Sequence, residues 1–355
     1  SQIAVVDGQD IINAGKQIMM ENNGKNNNND SINKNKSKTN IEHVHEISGL
    51  ESIEAFQNVE RPIVTTGTFD GVHFGHRKII DRLGEVAKKS DGETVLLTFS
   101  PHPRMVLFPD DHDLKLLNSL EEKKRYLEQA GIQHLIIHPF TKEFSRITSI
   151  NFVRDILVNQ LHTHKLVIGY NHHFGRNREG SFEHLKEFAP VYGFEVEEIP
   201  VQLLDDVGVS STKIRKALFA GDVRMAADCL GYEYELKGEV VPGNALGRTI
   251  DFPTANIQLS DVNKLVPADG VYAVRVEVKG EGYGGRMNIG VKPTLKNQAR
   301  TLEVHLLKFG LDIYREEICL KFVERIRNEI AFNDINQLRQ QLEEDRFSAL
   351  RILKM

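Results

Sequence analysis

The chain has 355 residues, more than one hydrophobic core normally serves, and this length indicates about two domains. Its formal net charge of −5 lacks the positive balance of a nucleic-acid-binding protein, and a hydrophobic content of 40% is ordinary for a globular protein. The two cysteines, Cys229 and Cys319, form neither a disulfide framework nor a zinc motif, and we find no secretion signal or membrane span. We therefore expect a cytoplasmic protein that does not bind polyanions.

An asparagine-rich segment stands near the N-terminus. Residues 22–40 contain nine asparagines among scattered Lys, Ser and Gly residues, and almost no side chain there suits a packed core. We interpret residues 1–44 as a flexible extension. A tolerated terminal addition is the simpler explanation, and a partner-binding tail is the alternative.

Short apolar runs alternate with helical stretches over residues 45–228. Strands are predicted at 62–66, 94–99, 134–138, 165–169 and 194–200, and helices at 76–90, 119–130, 148–161, 181–191 and 211–220. This alternation is typical of an α/β domain with a doubly wound, mostly parallel sheet. Ligands of such sheets bind at the carboxyl ends of the strands.

The pattern changes in residues 229–355. Short and often alternating runs at 235–241, 271–278, 285–290, 301–307 and 317–323 are separated by Gly, Pro and Asn. They predict a small, mostly antiparallel β-barrel or sandwich, which a C-terminal helix at 333–353 follows. No repeat links the two halves, so we expect two different folds with different chemistry.

The run Gly-Thr-Phe-Asp-Gly-Val-His-Phe-Gly-His at 67–76 leaves the first predicted strand and enters the first helix. Its glycines let the backbone approach a ligand, and the helix N-terminus presents free N–H groups to an anion. Two histidines are placed to donate to phosphate oxygens. The run therefore indicates a nucleotide site formed by Gly67, Phe69, Asp70, His73, Gly75 and His76.

This run resembles the signature of nucleotidyltransferases that transfer adenylyl groups, and specifically of bacterial flavin adenylyltransferases. Segments 98–103 (TFSPHP), 169–175 (GYNHHFG) and 209–215 (VSSTKIR) agree with that family in order and spacing. The resemblance implies a nucleotidyltransferase, Rossmann-like first domain. It also implies ATP binding by Ser210, Ser211 and Thr212, and flavin binding by Ser100, His102, Pro103, Asn171 and Phe174.

The implied reaction is attack of the FMN phosphate on the α-phosphorus of ATP, which yields FAD and pyrophosphate. The resemblance assigns His73 and His76 to transition-state stabilisation and Arg215 to the leaving group, with Mg²⁺ as the metal. A phosphate nucleophile is already ionised, so alignment and charge neutralisation can carry the catalysis. His172 and His173 are equally well explained as solvated loop residues.

A second motif at 243–256, Gly-Asn-Ala-Leu-Gly-Arg-Thr-Ile-Asp-Phe-Pro-Thr-Ala-Asn, resembles the ATP and Mg²⁺ site of riboflavin kinases. Segments 287–294 and 302–307 match the order in that family as well. The resemblance implies ATP binding by Gly243, Gly247, Arg248 and Pro253, Mg²⁺ binding by Thr254 and Asn256, and a general base at Glu303. Alone, Glu303 would be interpreted as a surface residue of an alternating strand, with His305 its neighbour on the same face.

The second domain departs from the kinase pattern at three places. Asp251 stands where the family usually has glycine, and a carboxylate near ATP phosphates repels them unless a cation compensates, so we hypothesise a weakened kinase. Lys292 replaces the usual arginine, and the glycines that commonly flank the segment near Ile313 are missing.

The resemblance extends over about residues 45–355 and predicts a bifunctional riboflavin kinase and FMN adenylyltransferase (FAD synthetase) of the prokaryotic type. Riboflavin, FMN and ATP are its expected substrates, FAD its product and Mg²⁺ its metal. The chain is expected to be a monomer or a weak homo-oligomer without nucleic-acid or membrane partners. The alternatives are an adenylyltransferase whose kinase domain is impaired at Asp251, and a regulator that binds flavin or nucleotide without turnover.

Overall fold

The computed structural model describes residues 48–50, 52–110, 114–170, 172–177, 179–200, 208–242, 253–293, 298–307, 313–332 and 334–355. Contacts divide the chain into two compact units, one of residues 1–114 and 120–208 and one of residues 115–119 and 209–355. We call them the sheet unit and the barrel unit. The predicted extension 1–44 lies outside the described residues and stays a prediction.

A six-stranded sheet forms the centre of the sheet unit. Its strands are β1 (Ser48–Leu50), β2 (Pro62–Thr66), β3 (Glu93–Ser100), β4 (His134–Pro139), β5 (Lys165–Gly169) and β6 (Glu195–Ile199), in the spatial order β1-β4-β3-β2-β5-β6. Each strand runs parallel to its neighbours. The buried aliphatic runs of the central strands are typical of a parallel sheet covered on both faces.

Helices connect these strands. They are α1 (Phe74–Ser90), α2 (Pro103–Leu107), α3 (Leu120–Gln129), α4 (Ser149–Asn151), which continues as a π-helix (Phe152–Gln160), and α5 (Phe182–Tyr192), with 3-10 turns at Ile53–Ala55 and Phe144–Arg146. One core cluster joins strand residues Val64, Leu97 and Ile136 to helix residues Phe152 and Phe188. The parallel sheet and its helices confirm the predicted fold class of the first domain.

Two helices follow the sheet in sequence but pack with the barrel. They are α6 (Ser211–Ala220) and α7 (Val223–Leu230), and each ends at a glycine with a left-handed backbone, Gly221 (φ 78°) and Gly231 (φ 81°). Ile214, Leu218 and Ala226 belong to the hydrophobic cluster of the barrel. The boundary between the compact units therefore precedes residue 229, where the sequence pattern predicts a domain boundary.

Six antiparallel strands close into the barrel. They are β7 (Glu235–Val241), β8 (Ala255–Leu259), β9 (Gly270–Val278), β10 (Glu281–Pro293), β11 (Gln298–Leu306) and β12 (Glu317–Arg327), in the order β10-β11-β8-β7-β12-β9. Leu236, Val274, Met287, Val304 and Phe322 are among the buried residues of its core. This closed antiparallel barrel confirms the predicted architecture of the second domain.

A long C-terminal helix, α8 (Ile335–Leu353), covers one side of the barrel. Its residues Ala349 and Leu353 pack on Ala273 of β9 and on Leu307, which follows β11. Asp334 caps the helix by accepting a hydrogen bond from the Asn336 N–H (3.1 Å). Of the helices in the described part of the chain, none has both the length and the apolar character of a membrane span.

Candidate active sites

The turn 67–76 lies at the topological switch point of the parallel sheet. From β2 the chain builds β3 and β4 outward on one side, whereas β5 and β6 lie on the other side of β2. Ile63 of β2 pairs with Lys165 of β5, so the two strands end at the same edge. Ligands of open α/β sheets bind at the carboxyl edge where the strand order reverses.

The backbone of this turn is strained. Phe69, Gly71 and Val72 have φ angles of 46°, 93° and 38°, and this region is most unfavourable for the β-branched Val72. The Gly67 N–H donates to the carbonyl oxygen of Leu97 on β3 (3.1 Å) and fixes the start of the turn. Strained conformations persist only where the surroundings enforce them, and they concentrate at functional sites.

Two stacked histidines stand at the start of α1. His73 is the N-cap residue: its Nδ1 accepts a hydrogen bond from the His76 N–H (3.4 Å), and the two ring centroids are 3.7 Å apart. Because Nδ1 of His73 accepts, Nε2 carries the proton in the neutral ring. Burial, with the charges of His73 and Lys123, lowers the pKa of His76 well below its ordinary value. His76 is therefore uncharged at neutral pH.

A polar atom of His76 is left for a ligand. Its Nδ1 is buried and has no hydrogen-bond partner among the residues that the structure describes. Buried polar atoms of proteins normally find a partner, because an unpaired one costs free energy. The orphaned nitrogen is consistent with a bound group that completes its hydrogen bonding.

A buried lysine that the sequence did not single out supports the same turn. Lys123 on α3 is 8% exposed and donates from Nζ to the Thr68 carbonyl (2.9 Å), which also accepts from the Thr98 hydroxyl (3.3 Å). Burial lowers the pKa of the Lys123 ammonium, and the negative charge of buried Asp70 opposes this effect. The Glu-Glu-Lys-Lys run of α3 resembles an ordinary solvated helix face, so only the tertiary structure reveals this role.

The predicted flavin-binding residues of segment 98–103 lie at the carboxyl end of β3. Ser100 is the last residue of that strand, and Pro103 is the first residue of α2. His102 caps α2, since its Nδ1 accepts a hydrogen bond from the Arg104 N–H (3.2 Å). All three are partly exposed at the edge of the sheet where a ligand is expected.

The predicted flavin-binding residues after β5 are less uniform. Phe174 is 7% exposed and packs in the core against Phe152, with ring centroids 5.8 Å apart. His172 is half-buried and His173 is exposed, whereas Asn171 lies outside the described residues. The structure thus places Phe174 among core side chains and leaves the assignment of Asn171 a prediction.

An aromatic cluster lies at the ends of β3 and β4, and the sequence did not indicate it. Phe99 contacts Phe140 and Phe144 with ring centroids 5.6 Å and 5.5 Å apart, and His138 lies 4.6 Å from Phe144. The residues are separated by some forty positions, and they meet because β3 and β4 pair in parallel with Phe99 opposite His138. The cluster offers apolar ring faces beside Ser100.

The predicted phosphate-binding segment 209–215 begins α6 and belongs to the barrel unit. Ser210 is the N-cap residue and accepts a hydrogen bond from the Lys213 N–H (3.2 Å). Ser211 and Thr212 form the first turn, whose N–H groups lie at the positive end of the helix dipole. Arg215 donates from Nε to the Lys115 carbonyl (2.9 Å). Within this unit, the segment has the geometry of an anion-binding helix start.

In the barrel unit, two predicted site residues and one further polar residue lie in one row across neighbouring strands. Asn288 of β10 is directly opposite Glu303 of β11, and Glu303 is directly opposite Asn256 of β8. Buried neighbours such as Met287 and Val304 point into the barrel, so the three side chains project from its outer face. The amide nitrogen of Asn288 also donates to Glu329 (3.4 Å). We call Asn256, Glu303 and Asn288 the polar row.

A second row beside it is buried. Arg286 pairs in register with His305, and both are nearly inaccessible, at 4% and 8% exposed. Asp345 of α8 forms two hydrogen bonds with Arg327 (2.8 and 2.7 Å) and lies 3.6 Å from Arg286. Nδ1 of His305 lies 2.8 Å from the Pro253 carbonyl oxygen. We call Arg286, His305, Asp345 and Arg327 the ionic row.

The predicted ATP-binding residues of the barrel are only partly described. Pro253 is exposed and Thr254 is half-buried, immediately before β8. Gly243, Gly247, Arg248 and Asp251 lie outside the described residues, so the predictions for them are unchanged.

The donor set around β8 is suited to Mg²⁺. Asn256 supplies an amide oxygen, Thr254 a hydroxyl, and Glu303 a carboxylate opposite Asn256, and hard oxygen ligands are those that Mg²⁺ prefers. Within the described ranges, no group of three His, Cys, Asp or Glu side chains forms a candidate metal cluster. A magnesium ion here would accordingly be held by few protein ligands together with substrate phosphate.

Two family models match consecutive parts of the chain. The model described as FAD synthetase matches residues 55–213, and the model described as riboflavin kinase matches residues 230–353. The first match contains the turn 67–76, and the second contains the polar row.

Several bacterial proteins are similar to the chain over most of its length. The bifunctional riboflavin kinase/FMN adenylyltransferase of Escherichia coli (strain K12) is 37% identical over 81% of this chain and 91% of the relative. The protein of the same name from Listeria monocytogenes is 38% identical over 80% of this chain and 90% of the relative. A crystal structure described as a macrolide-efflux protein from Streptococcus pneumoniae superposes with a TM-score of 0.77 at 30% identity, over 86% of this chain and 98% of that chain.

Proposed function

Because the chain belongs to the family of bifunctional riboflavin kinases/FMN adenylyltransferases, it converts riboflavin to FMN and FMN to FAD, and we propose that its two predicted domains divide these reactions. We assign adenylyl transfer to the first domain, residues 45–228, and riboflavin phosphorylation to the second, residues 229–355. One observation carries the assignment: stacked His73 and His76 stand at the switch point of the sheet, whereas Glu303 stands in the polar row of the barrel.

In the kinase reaction, Glu303 acts as the general base. The 5′-hydroxyl of the ribityl chain attacks the γ-phosphorus of ATP, its proton passes to the Glu303 carboxylate, and ADP leaves. The position of Glu303 between Asn256 and Asn288 supports this role, since a rigid strand holds the carboxylate toward solvent. Mg²⁺ held by the oxygens of Thr254 and Asn256 would neutralise phosphate charge. Gly243, Gly247, Arg248 and Pro253 are proposed to contact ATP.

In the adenylyltransferase reaction, no proton has to be removed from the nucleophile. An ionised oxygen of the FMN phosphate attacks the α-phosphorus of ATP, the bond to the β-phosphate bridging oxygen breaks, and pyrophosphate leaves. His76 and His73 donate N–H groups to phosphate oxygens, and the orphaned Nδ1 of His76 supports such a contact. Ser210, Ser211, Thr212 and Arg215 are proposed to hold ATP phosphates, on the strength of the motif and the helix start.

The flavin ring of FMN is proposed to lie near the carboxyl ends of β3 and β4. The aromatic faces of Phe99, Phe140 and Phe144 beside Ser100 support this position, because stacked rings attract one another beyond the area they bury. His102, Pro103 and Asn171 are proposed as further contacts. Phe174, which packs in the core, is proposed to shape this region rather than touch the ring.

Two variants test the division of labour. Glu303→Gln is expected to lower FMN formation from riboflavin by roughly 10²–10⁴-fold, the usual contribution of a general base, and to leave the conversion of added FMN to FAD intact. His76→Ala is expected to do the reverse, so that FMN accumulates. Chromatography of flavins after incubation with ATP and Mg²⁺ measures both steps.

The control for these variants is Glu277→Gln, which changes an exposed glutamate of β9 outside the polar row. It is expected to retain both reactions. An equal mixture of Glu303→Gln and His76→Ala should again form FAD from riboflavin. A Glu303→Gln variant with normal FMN formation would contradict the proposed base, and loss of both reactions in either variant would contradict the division.

The names of the relatives favour two active enzymes over a regulator that binds without turnover. An impaired kinase remains a separate hypothesis on Asp251. We further propose a monomer or weak homo-oligomer that works in the cytoplasm on small molecules. Neither Cys229 nor Cys319 forms a disulfide, which supports a reducing compartment.

A further inference from the structure

The Pro253–Asn256 segment is held by an unusual arrangement at the end of β8. Within the described residues, strand β8 pairs with β11 at two positions, Asn256 opposite Glu303 and Ala255 opposite Val304. Pro253 has no N–H to donate, so this residue cannot extend the ladder as a donor. Thr254, a proposed Mg²⁺ ligand, therefore stands just outside the regular pairing of the two strands.

Beyond the last backbone pair of β8 and β11, the side chain of His305 contacts the backbone of Pro253. Its Nδ1 lies 2.8 Å from the Pro253 carbonyl oxygen. A carbonyl oxygen can only accept, so Nδ1 carries the proton and donates. The bond survives a change of charge, because Nδ1 is protonated in the imidazolium as well.

We propose that His305 is a positioning residue of the kinase site, which fixes Thr254 and Asn256 by donating a hydrogen bond to the Pro253 carbonyl. The proposal rests on the kinase role of the barrel unit proposed above. His305 does not have to touch substrate for this role. It holds the backbone immediately before the residues that are proposed to bind Mg²⁺ and the phosphates of ATP.

Charged side chains lie close to the His305 ring. Arg286 is directly opposite His305, and the buried Asp345 carboxylate lies near the guanidinium groups of both Arg286 and Arg327. On α8, the charged residues Glu343 and Arg346 also face His305 closely enough to influence it, and they pair with each other (3.3 Å). Because the ring is 8% exposed, water cannot easily replace its bond to Pro253.

The test compares His305→Leu with His305→Asn. The nitrogen of an Asn amide is as many bonds from Cα as Nδ1 of histidine, so Asn can donate to the same carbonyl, whereas Leu cannot. For His305→Leu we expect the KM for ATP and the half-saturating Mg²⁺ concentration of FMN formation to rise by roughly 10–100-fold, as for other residues that orient metal ligands. The KM for riboflavin should change little, and His305→Asn should recover part of the loss.

Hydrogen exchange provides a readout that needs no ligand. In His305→Leu, the amides of residues 254–256 should exchange faster than in the parent chain, while those of β9 and β12 should not change. Gln258→Leu is the matched control, since it alters an exposed side chain farther along β8, and it should leave exchange and kinetics unchanged.

Three results would overturn the proposal: a normal KM for ATP in His305→Leu, unchanged exchange at 254–256, or equal behaviour of the Leu and Asn variants. Unchanged exchange in β9 and β12 reports that the barrel remains folded, and adenylylation of added FMN reports that the first domain does. Glu303→Gln, assayed in parallel, separates the two levels: if it keeps full kinase activity, the proposed kinase site itself is wrong, whatever His305 does.

Discussion

The sheet unit carries its two candidate catalytic histidines on a strained turn and the first turn of a helix, whereas the barrel unit carries the candidate general base Glu303 in register with polar residues of neighbouring strands. Phe69 and Val72 in the sheet unit have left-handed backbones, while Asn256, Glu303 and Asn288 occupy regular strands. The first site depends on the path of the backbone. The second depends on the charged side chains of the ionic row, which lies beside the polar row. Each site should therefore fail for its own reason.

The largest expected effect concerns Asp345. Asp345→Asn removes the carboxylate that faces buried Arg286 and half-buried Arg327, and breaking a buried ion pair costs about 3–5 kcal/mol. Urea unfolding of the barrel unit, monitored by hydrogen exchange, should show this loss. FMN formation should be lost at a lower urea concentration than FAD formation from FMN. The exposed pair Arg224–Glu324 provides the control, because Arg224→Ala should cost about 1 kcal/mol or less. Equal losses of stability in Asp345→Asn and Arg224→Ala would contradict a special role for the buried charges of the barrel unit.

Lys123 tests the sheet unit in the same way. Lys123→Met removes the ammonium that holds the Thr68 carbonyl, and a lost hydrogen bond to a charged group costs about 1.5–3 kcal/mol. We expect FAD formation from FMN to decline while FMN formation from riboflavin persists, as flavin chromatography would show. Lys124→Met removes an adjacent charge of α3 and should preserve both reactions. Loss of the kinase alone would contradict the assignment.

A smaller effect should appear in the pH dependence of stability. The pKa of His76 in the folded chain lies well below the ordinary 6.5, so the unfolded chain binds the proton first. As the pH falls through about 6.5 toward the folded value, stability should decline by up to about 1.4 kcal/mol per pH unit.

Urea unfolding at pH 7.5 and 5.5 would measure that decline. His76→Gln should make the free energy of unfolding less dependent on pH over this interval. His173→Gln, which alters an exposed histidine of the same unit, should leave the dependence unchanged. An unchanged slope in His76→Gln would show that His76 is not the responsible group.

The smallest prediction concerns Asp251. Asp251→Gly should lower the KM for ATP in FMN formation by about five-fold, which corresponds to the ~1 kcal/mol that two unit charges about 4 Å apart exchange in water. The effect should weaken as salt screens the repulsion. Initial rates at low and high ionic strength would measure it. No change at low salt would mean that Asp251 does not face the phosphates.

Much of the fold could be predicted from the sequence, because the hydrophobic periodicity was clear and turn residues such as Gly, Pro and Asn separated the elements. The strand Lys165–Gly169 and the helix Ser211–Ala220 agree with prediction at both ends. The missed elements include β1 with three residues, α2 with five, α7 with eight, and β8, whose first two residues belong to a motif interpreted for its chemistry. Short elements carry too little periodicity to be recognised, and their tertiary contacts decide them.

The sequence predicted the motif residues of the candidate sites but not the buried charged residues that support them. His76 and Glu303 stood in recognisable runs, and the structure places them at a switch point and in a polar row. Lys123, Arg286 and Asp345 are charged residues of ordinary amphipathic patterns, and such residues are usually solvated. Their burial follows from which helix covers which strand, and a linear pattern does not contain that information.

Residues 115–119 have a consequence for how this chain can be dissected. This short segment belongs to the barrel unit: Leu116 exchanges hydrogen bonds with Asn263 and Leu265, and Lys264 donates to the Leu117 carbonyl (2.6 Å). The polypeptide therefore crosses between the units three times, at 114/115, 119/120 and 208/209. We call residues 115–119 the strap. A single cut at 208/209 that removes the sheet unit also removes the strap, and a cut at residue 229 removes the helices α6 and α7 as well. Circular permutation or a co-expressed strap peptide would be needed to obtain the barrel unit whole.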